Sequence, residues 1–125
     1  MFDWADYVNL AESMVRERTR LANDEACYRA AISRAYYGAF CAARNRARDA
    51  EGLTVGNTGA NHNLVRSHFQ RAPDRPRRQI GLWLDRLRAD RNEADYSDRN
   101  IHDAARRCTA ALAQARNTLN TLQTL

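Results

Sequence analysis

The sequence contains no lysine; all 20 of its basic residues are arginine. Every cationic contact is therefore a planar guanidinium, which forks onto carboxylates and phosphates as an ammonium does not. Proline (two) and glycine (five) are scarce, and runs of β-branched and aromatic residues are missing. Those absences argue against a strand-rich fold. Alanine, leucine and arginine dominate instead, all good helix formers. No apolar run is long enough to span a membrane, and no signal peptide is apparent. Cys27, Cys41 and Cys108 are odd in number and form no CxxC pair. On one helix, Cys27 and Cys41 would lie ~21 Å apart, too far to bridge. They read as small core residues in a reducing compartment, so a cytoplasmic protein without membrane attachment is expected. Metal and cofactor signals are lacking as well. His62 and His68 are six residues apart, His102 stands alone, and there is no HExxH motif or cysteine–histidine cluster. There is no GxSxG nucleophile elbow, and the acids alternate with arginines along helices, so no glycosidase-type carboxylate pair can be argued.

What is present fits one domain spanning residues 1–125. Asp3 can cap a first helix to about Leu21 or Ala22, with Trp4, Tyr7, Ala11, Met14 and Leu21 inward and Arg18 interrupting. Asn23 or Asp24 caps a second over Glu25–Glu51, stopped by Gly52. This helix is rich in alanine, and Gly38 suits close packing with a neighbour. Tyr36, Tyr37 and Phe40 read as aromatic core, while Arg34 interrupts an otherwise uncharged face. Leu53–Asn61 is a glycine-containing loop without the Lys-Ser/Thr ending of a P-loop. Asn61 can cap a short helix over His62–Arg71, with Val65 and Phe69 buried. Pro76 opens a fourth helix that runs to about Ala94. Asp98 or Asn100 starts the last, whose apolar positions Ile101, Ala105, Cys108, Leu112, Ala115, Leu119 and Leu122 form a heptad seam. The predicted fold is all-α: an up-and-down bundle of four long helices and one short one.

The chemistry concentrates in Leu84–Tyr96, LDRLRADRNEADY. Ile80, Leu84 and Leu87 define an inward stripe, and its next turn is Arg91. A buried arginine needs an anion, and Asp95 is one turn on. Arg34, His62, Arg91, Asn92, Asp95 and Tyr96 are thus candidates for one polar site, with Tyr37 beside them. Two arginines, an asparagine and a histidine can hold a phosphate. The alternative is an internal ion network in which Asp95 neutralises both Arg34 and Arg91. The net charge of +5 suits a nucleic-acid partner, although 15 interspersed acids also fit a salt-bridged helical surface.

Three segments, in order, resemble the HEPN family. SRAYYGAFCAA (Ser33–Ala43) is similar to its RxYYxxFxAA helix, TGANHNLV (Thr58–Val65) to its Thr/His segment, and LRADRNEADY (Leu87–Tyr96) to the LRxxRNxADY element of a stand-alone prokaryotic branch. The resemblance covers roughly residues 24–122. It implies a helical bundle, often a homodimer, that binds a nucleotide, RNA or a protein partner. That partner is often a nucleotidyltransferase encoded nearby, in toxin–antitoxin or defence systems. Many members are metal-independent endoribonucleases in which an arginine, commonly with a polar residue directly after it, is separated from a histidine by four to six residues. Here Arg91-Asn92 matches the first half, but Tyr96 stands where the nearest histidine would be. A phenol of ordinary pKa is a poor general acid–base at neutral pH. If the chain is a ribonuclease, the resemblance assigns catalysis to Arg91 and Asn92, with His62 reaching them through space. If it is a binding module, Arg34, Tyr37, Asp95 and Tyr96 would contact the ligand. A purely structural dimerisation bundle is the remaining reading.

Overall fold

A computed structural model describes residues 1–56 and 61–125. The middle of the expected Leu53–Asn61 loop, including Gly59 and the Thr58–Ala60 part of the Thr/His segment, lies outside the described residues. The fold is an all-α helical bundle, with no strand among the described residues. Its helices are α1 (Ala5–Arg16), α2 (Arg18–Leu21), α3 (Asp24–Ala50), α4 (Asn61–Gln70), α5 (Arg75–Tyr96) and α6 (Ala104–Gln123). The central element is α3, which packs against all five others.

Small residues make that centrality possible. Ala31, Ala35, Ala39, Ala43 and Ala47 are buried along α3, so neighbouring helices can approach on several sides. At Gly38 a Cβ would sit 2.9 Å from the Trp4 carbonyl oxygen and from Val8 Cγ2. Gly38→Ala should therefore destabilise the fold by about 2 kcal/mol despite its better helix propensity, because α1 would have to move away. Urea unfolding of the two proteins measures this, and equal midpoints would show that the α1–α3 contact yields freely.

The ends of α3 follow the sequence. The Asn23 side chain accepts from the Ala26 N–H at 2.8 Å, and Gly52 takes φ +75° beyond the last turn. All three cysteines are buried free thiols. Elsewhere the structure corrects the reading. The expected first helix breaks at Glu17, where φ is −100° and ψ 12°. Arg18 Nη1 takes the Val15 carbonyl at 2.8 Å, satisfying with a side chain an oxygen near the helix end. The break leaves Leu21 exposed rather than in the core. The last helix starts late, at Ala104. Of the predicted seam, Ile101, Cys108, Ala115 and Leu119 are buried and Leu112 and Leu122 pack half-buried against the core, while Ala105 is exposed; Ala111 and Thr118 are buried in addition. The buried face is broader than one seam because α6 packs on α3, α5 and α1 together rather than along one partner. Thr118 is tolerated there because its hydroxyl donates to the Gln114 carbonyl at 2.9 Å.

Two clamps position α4. Asn61 does not serve as a free cap: its Oδ1 accepts from the Gly56 N–H at 3.1 Å, and its amide donates to the Gly56 carbonyl. Glu51, just after α3, accepts from Arg46 Nε at 3.0 Å, His68 Nε2 at 2.8 Å and Arg77 Nη2 at 3.0 Å. One carboxylate thus joins α3, α4 and α5. Burial alone would raise its pKa, but the hydrogen bonds from Arg77, His68 and Arg46 hold it down to about 2. On the opposite side of α4, Gly81 lets α5 come so near that a Cβ would lie 2.7 Å from the Gln70 backbone nitrogen.

Candidate functional site: an arginine–tyrosine–histidine cluster

The inward stripe of α5 runs Ile80, Leu84, Leu87 and then Arg91, as its spacing predicts. Arg91 is only 7 % exposed. Its guanidinium carbon lies 5.3 Å from the ring centroids of both Tyr36 and Tyr37, so two α3 rings receive the buried cation. Asp95 is its nearest carboxylate, with Nη1 to Oδ2 at 3.9 Å, beyond hydrogen-bonding distance. Among the described residues the buried Arg91 Nε has no hydrogen-bond partner.

Asp95 is committed elsewhere. Its Oδ2 accepts from the buried Ser33 hydroxyl at 3.2 Å, and Arg34 Nη2 approaches the same hydroxyl at 3.4 Å. Arg34 reaches Asp95 only through Ser33. Its guanidinium carbon is 5.5 Å from the Tyr37 centroid and 5.2 Å from that of Tyr7. Tyr37 is therefore contacted by two guanidiniums. Arg34 also lines an open hollow of about 290 Å³ with Trp4, Tyr7, Tyr37 and Cys41.

His62, in the first turn of α4, enters from the other side. Its ring stacks on Phe40 at 4.4 Å, and its Nδ1 is hydrogen-bonded to the Tyr36 hydroxyl. Burial lowers the His62 pKa, and the Arg88 and Arg91 guanidiniums lower it further. Burial raises the Tyr36 pKa far above its ordinary value, with Arg88 and Arg91 opposing only in part. At neutral pH the phenol thus keeps its proton and the imidazole is uncharged. The phenol is the better donor and the imidazole nitrogen the better acceptor, so Tyr36 donates to Nδ1 and the ring proton resides on Nε2.

The fold therefore gathers Arg34, Tyr37, His62, Arg91 and Asp95 around α3. It does not gather Asn92 and Tyr96, which are exposed on α5; Tyr96 is 74 % exposed, at the last residue of the helix. Three participants escaped the sequence reading. Ser33 and Tyr36 lie beside residues that were selected, but their hydroxyl partners are 62 and 26 residues away. Arg88 sits among surface arginines, and its neighbours gave no sign that it would act on His62. Its Nη1 donates to Asn63 at 3.0 Å, while its Nε is buried without a partner among the described residues. Of the three guanidiniums only that of Arg91 comes within 4 Å of Asp95; Arg34 stops at Ser33, and Arg88 is engaged by Asn63.

Compared with protein-family models, curated proteins and solved structures, the chain gave no match. Among the described residues no group of three or more His, Cys, Asp or Glu could hold a metal ion. Among the described residues no helix is long and apolar enough to cross a membrane.

Proposed function

We propose that this chain is a binding module for a phosphate-bearing ligand, a nucleotide or an RNA strand, held at the Arg34–Arg91 cluster. The observation that carries this reading is Arg91 itself, a buried guanidinium stacked on two tyrosines whose nearest carboxylate stands 3.9 Å away. An internal ion network would be expected to close that gap, because buried charges are retained only with full hydrogen bonding. A ligand phosphate supplies the oxygens that Asp95 does not. The half-buried tyrosine and tryptophan rings that line the hollow beside Arg34 suit stacking against a base. The HEPN resemblance supports the same class of ligand.

The ribonuclease alternative draws on His62, which lies close enough to Arg91 to feel its charge. Its Nδ1 is occupied by Tyr36 and its other nitrogen is protonated, so at neutral pH it is a donor rather than a base. Binding without cleavage is therefore the preferred reading. A labelled oligoribonucleotide tests it. Arg34→Ala should weaken binding roughly tenfold and reduce the salt slope by about 0.7, the loss of one phosphate contact. Unchanged affinity and slope would remove Arg34 from the interface. Cleavage that disappears in Arg91→Ala would restore the nuclease assignment.

A further inference from the structure

We infer that anion binding at this cluster is coupled to proton uptake by His62, with Arg88 and Tyr36 setting the strength of the coupling. The inference rests on the anion-site reading above and adds its regulation. It follows from what surrounds the imidazole. From α3, His62 meets the phenols of Tyr36 and Tyr37 and the ring of Phe40. From α5, the Arg91 guanidinium lies 5.3 Å from the centroids of the same two tyrosine rings, and Arg88 reaches Asn63, the residue after His62; both cations oppose a charge on the imidazole. On α4 itself, Asn63 is engaged by Arg88, and Arg66 is paired with Asp85. Among the described residues no carboxylate lies within 4 Å of its ring nitrogens; the carboxylates that do pair with histidine are on His68 and His102. An imidazolium formed here without ligand would face two cations and no anion.

A bound anion reverses that balance. Placed against Arg91, it compensates the guanidinium that otherwise opposes protonation, and it attracts the imidazolium directly. His62 then takes up a proton as the anion binds. Linkage is reciprocal, so a proton on His62 must tighten anion binding by the same factor. Tyr36 contributes the restraint. By donating to Nδ1 it holds the neutral form of His62 in the empty site. Protonation of Nδ1 then requires the phenol to turn and accept instead.

Sulfate is the suitable probe, because its charge is constant from pH 8 to pH 5. Isothermal titration in two buffers of different ionisation enthalpy reports affinity and proton uptake together. The wild type should bind sulfate about tenfold more tightly at pH 5.5 than at pH 7.5, with net proton uptake, as linkage to a single histidine allows. His62→Gln should give a flat profile without uptake. Arg88→Gln should shrink the pH dependence, because the empty-site histidine is then less disfavoured as a cation. Histidine NMR on the wild type, with and without sulfate, reads the same coupling if a variant fails to fold: the His62 titration should move to higher pH when sulfate is added. A pH-independent wild-type affinity, or a dependence that persists in His62→Gln, overturns the coupling while leaving the anion site intact. Absence of sulfate binding at every pH overturns the anion-site reading and the coupling with it.

Discussion

Asp95→Asn should lower the unfolding free energy by about 2 kcal/mol at low ionic strength, and added sulfate should restore part of that loss. Removing one partner of a fully buried pair costs about 3–5 kcal/mol because a charge is left uncompensated. The expected loss is smaller here because the Asp95 side chain is 28 % exposed and stands 3.9 Å from Arg91. Arg91→Met should behave differently. The thioether can occupy the space against Tyr36 and Tyr37, and the desolvation cost of the guanidinium disappears. Asp95 keeps its bond from Ser33 and its access to water. Arg91→Met should therefore match the wild type in stability or exceed it. Urea unfolding of the three proteins gives both values. A large loss in Arg91→Met would mean that the arginine is a structural member of the core.

Glu51→Gln should cost about 3 kcal/mol at pH 7. The carboxylate titrates near pH 2 in the folded chain against an ordinary value of 4.5, and each unit of difference corresponds to about 1.4 kcal/mol. Its side chain is only 12 % exposed, so solvent screening removes little of this. The sign fixes the pH window. A depressed carboxylate contributes its full stabilisation above about pH 4.5 and loses it as pH falls towards 2. Wild type and Glu51→Gln should accordingly differ most at neutral pH and converge in acid. A gap that stays constant from pH 7 to pH 2 would show that the variant acts through packing rather than charge. The same carboxylate ties α4 to α3 and α5, so Glu51→Gln should also loosen His62, at the other end of α4.

Arg91 and Asp95 were legible in the sequence because helical periodicity assigns both a face and a neighbour. Leu84, Leu87 and Arg91 share one stripe, and Asp95 follows one turn later. Gly38 was legible for a related reason, since a glycine inside an alanine-rich helix implies a close approach. Tyr36 was not. The reading placed it in the core, and its ring is there at 1 % exposure, yet its hydroxyl holds His62. A pattern of apolar positions assigns the ring and is silent about the phenol oxygen. Arg88 and Arg86 are likewise similar in sequence context, and only the placement of α4 separates them. The burial of Ala111 and Thr118 depends on α6 packing against three helices at once, which the periodicity of one helix does not encode. Asn92 and Tyr96 were selected for their adjacency in sequence to Arg91 and Asp95, but adjacent helical residues point about 100° apart.

The most direct test of the anion site is a thermal-shift series on wild type and Arg91→Met, with and without sulfate and adenosine monophosphate. Binding to the folded state alone raises the melting temperature by mass action. Both anions should raise the wild-type midpoint, and neither should raise that of Arg91→Met, which folds as well as the wild type. No anion effect in the wild type, together with a large loss of stability in Arg91→Met, would contradict the anion site and leave Arg34, Arg91 and Asp95 as an internal ion network.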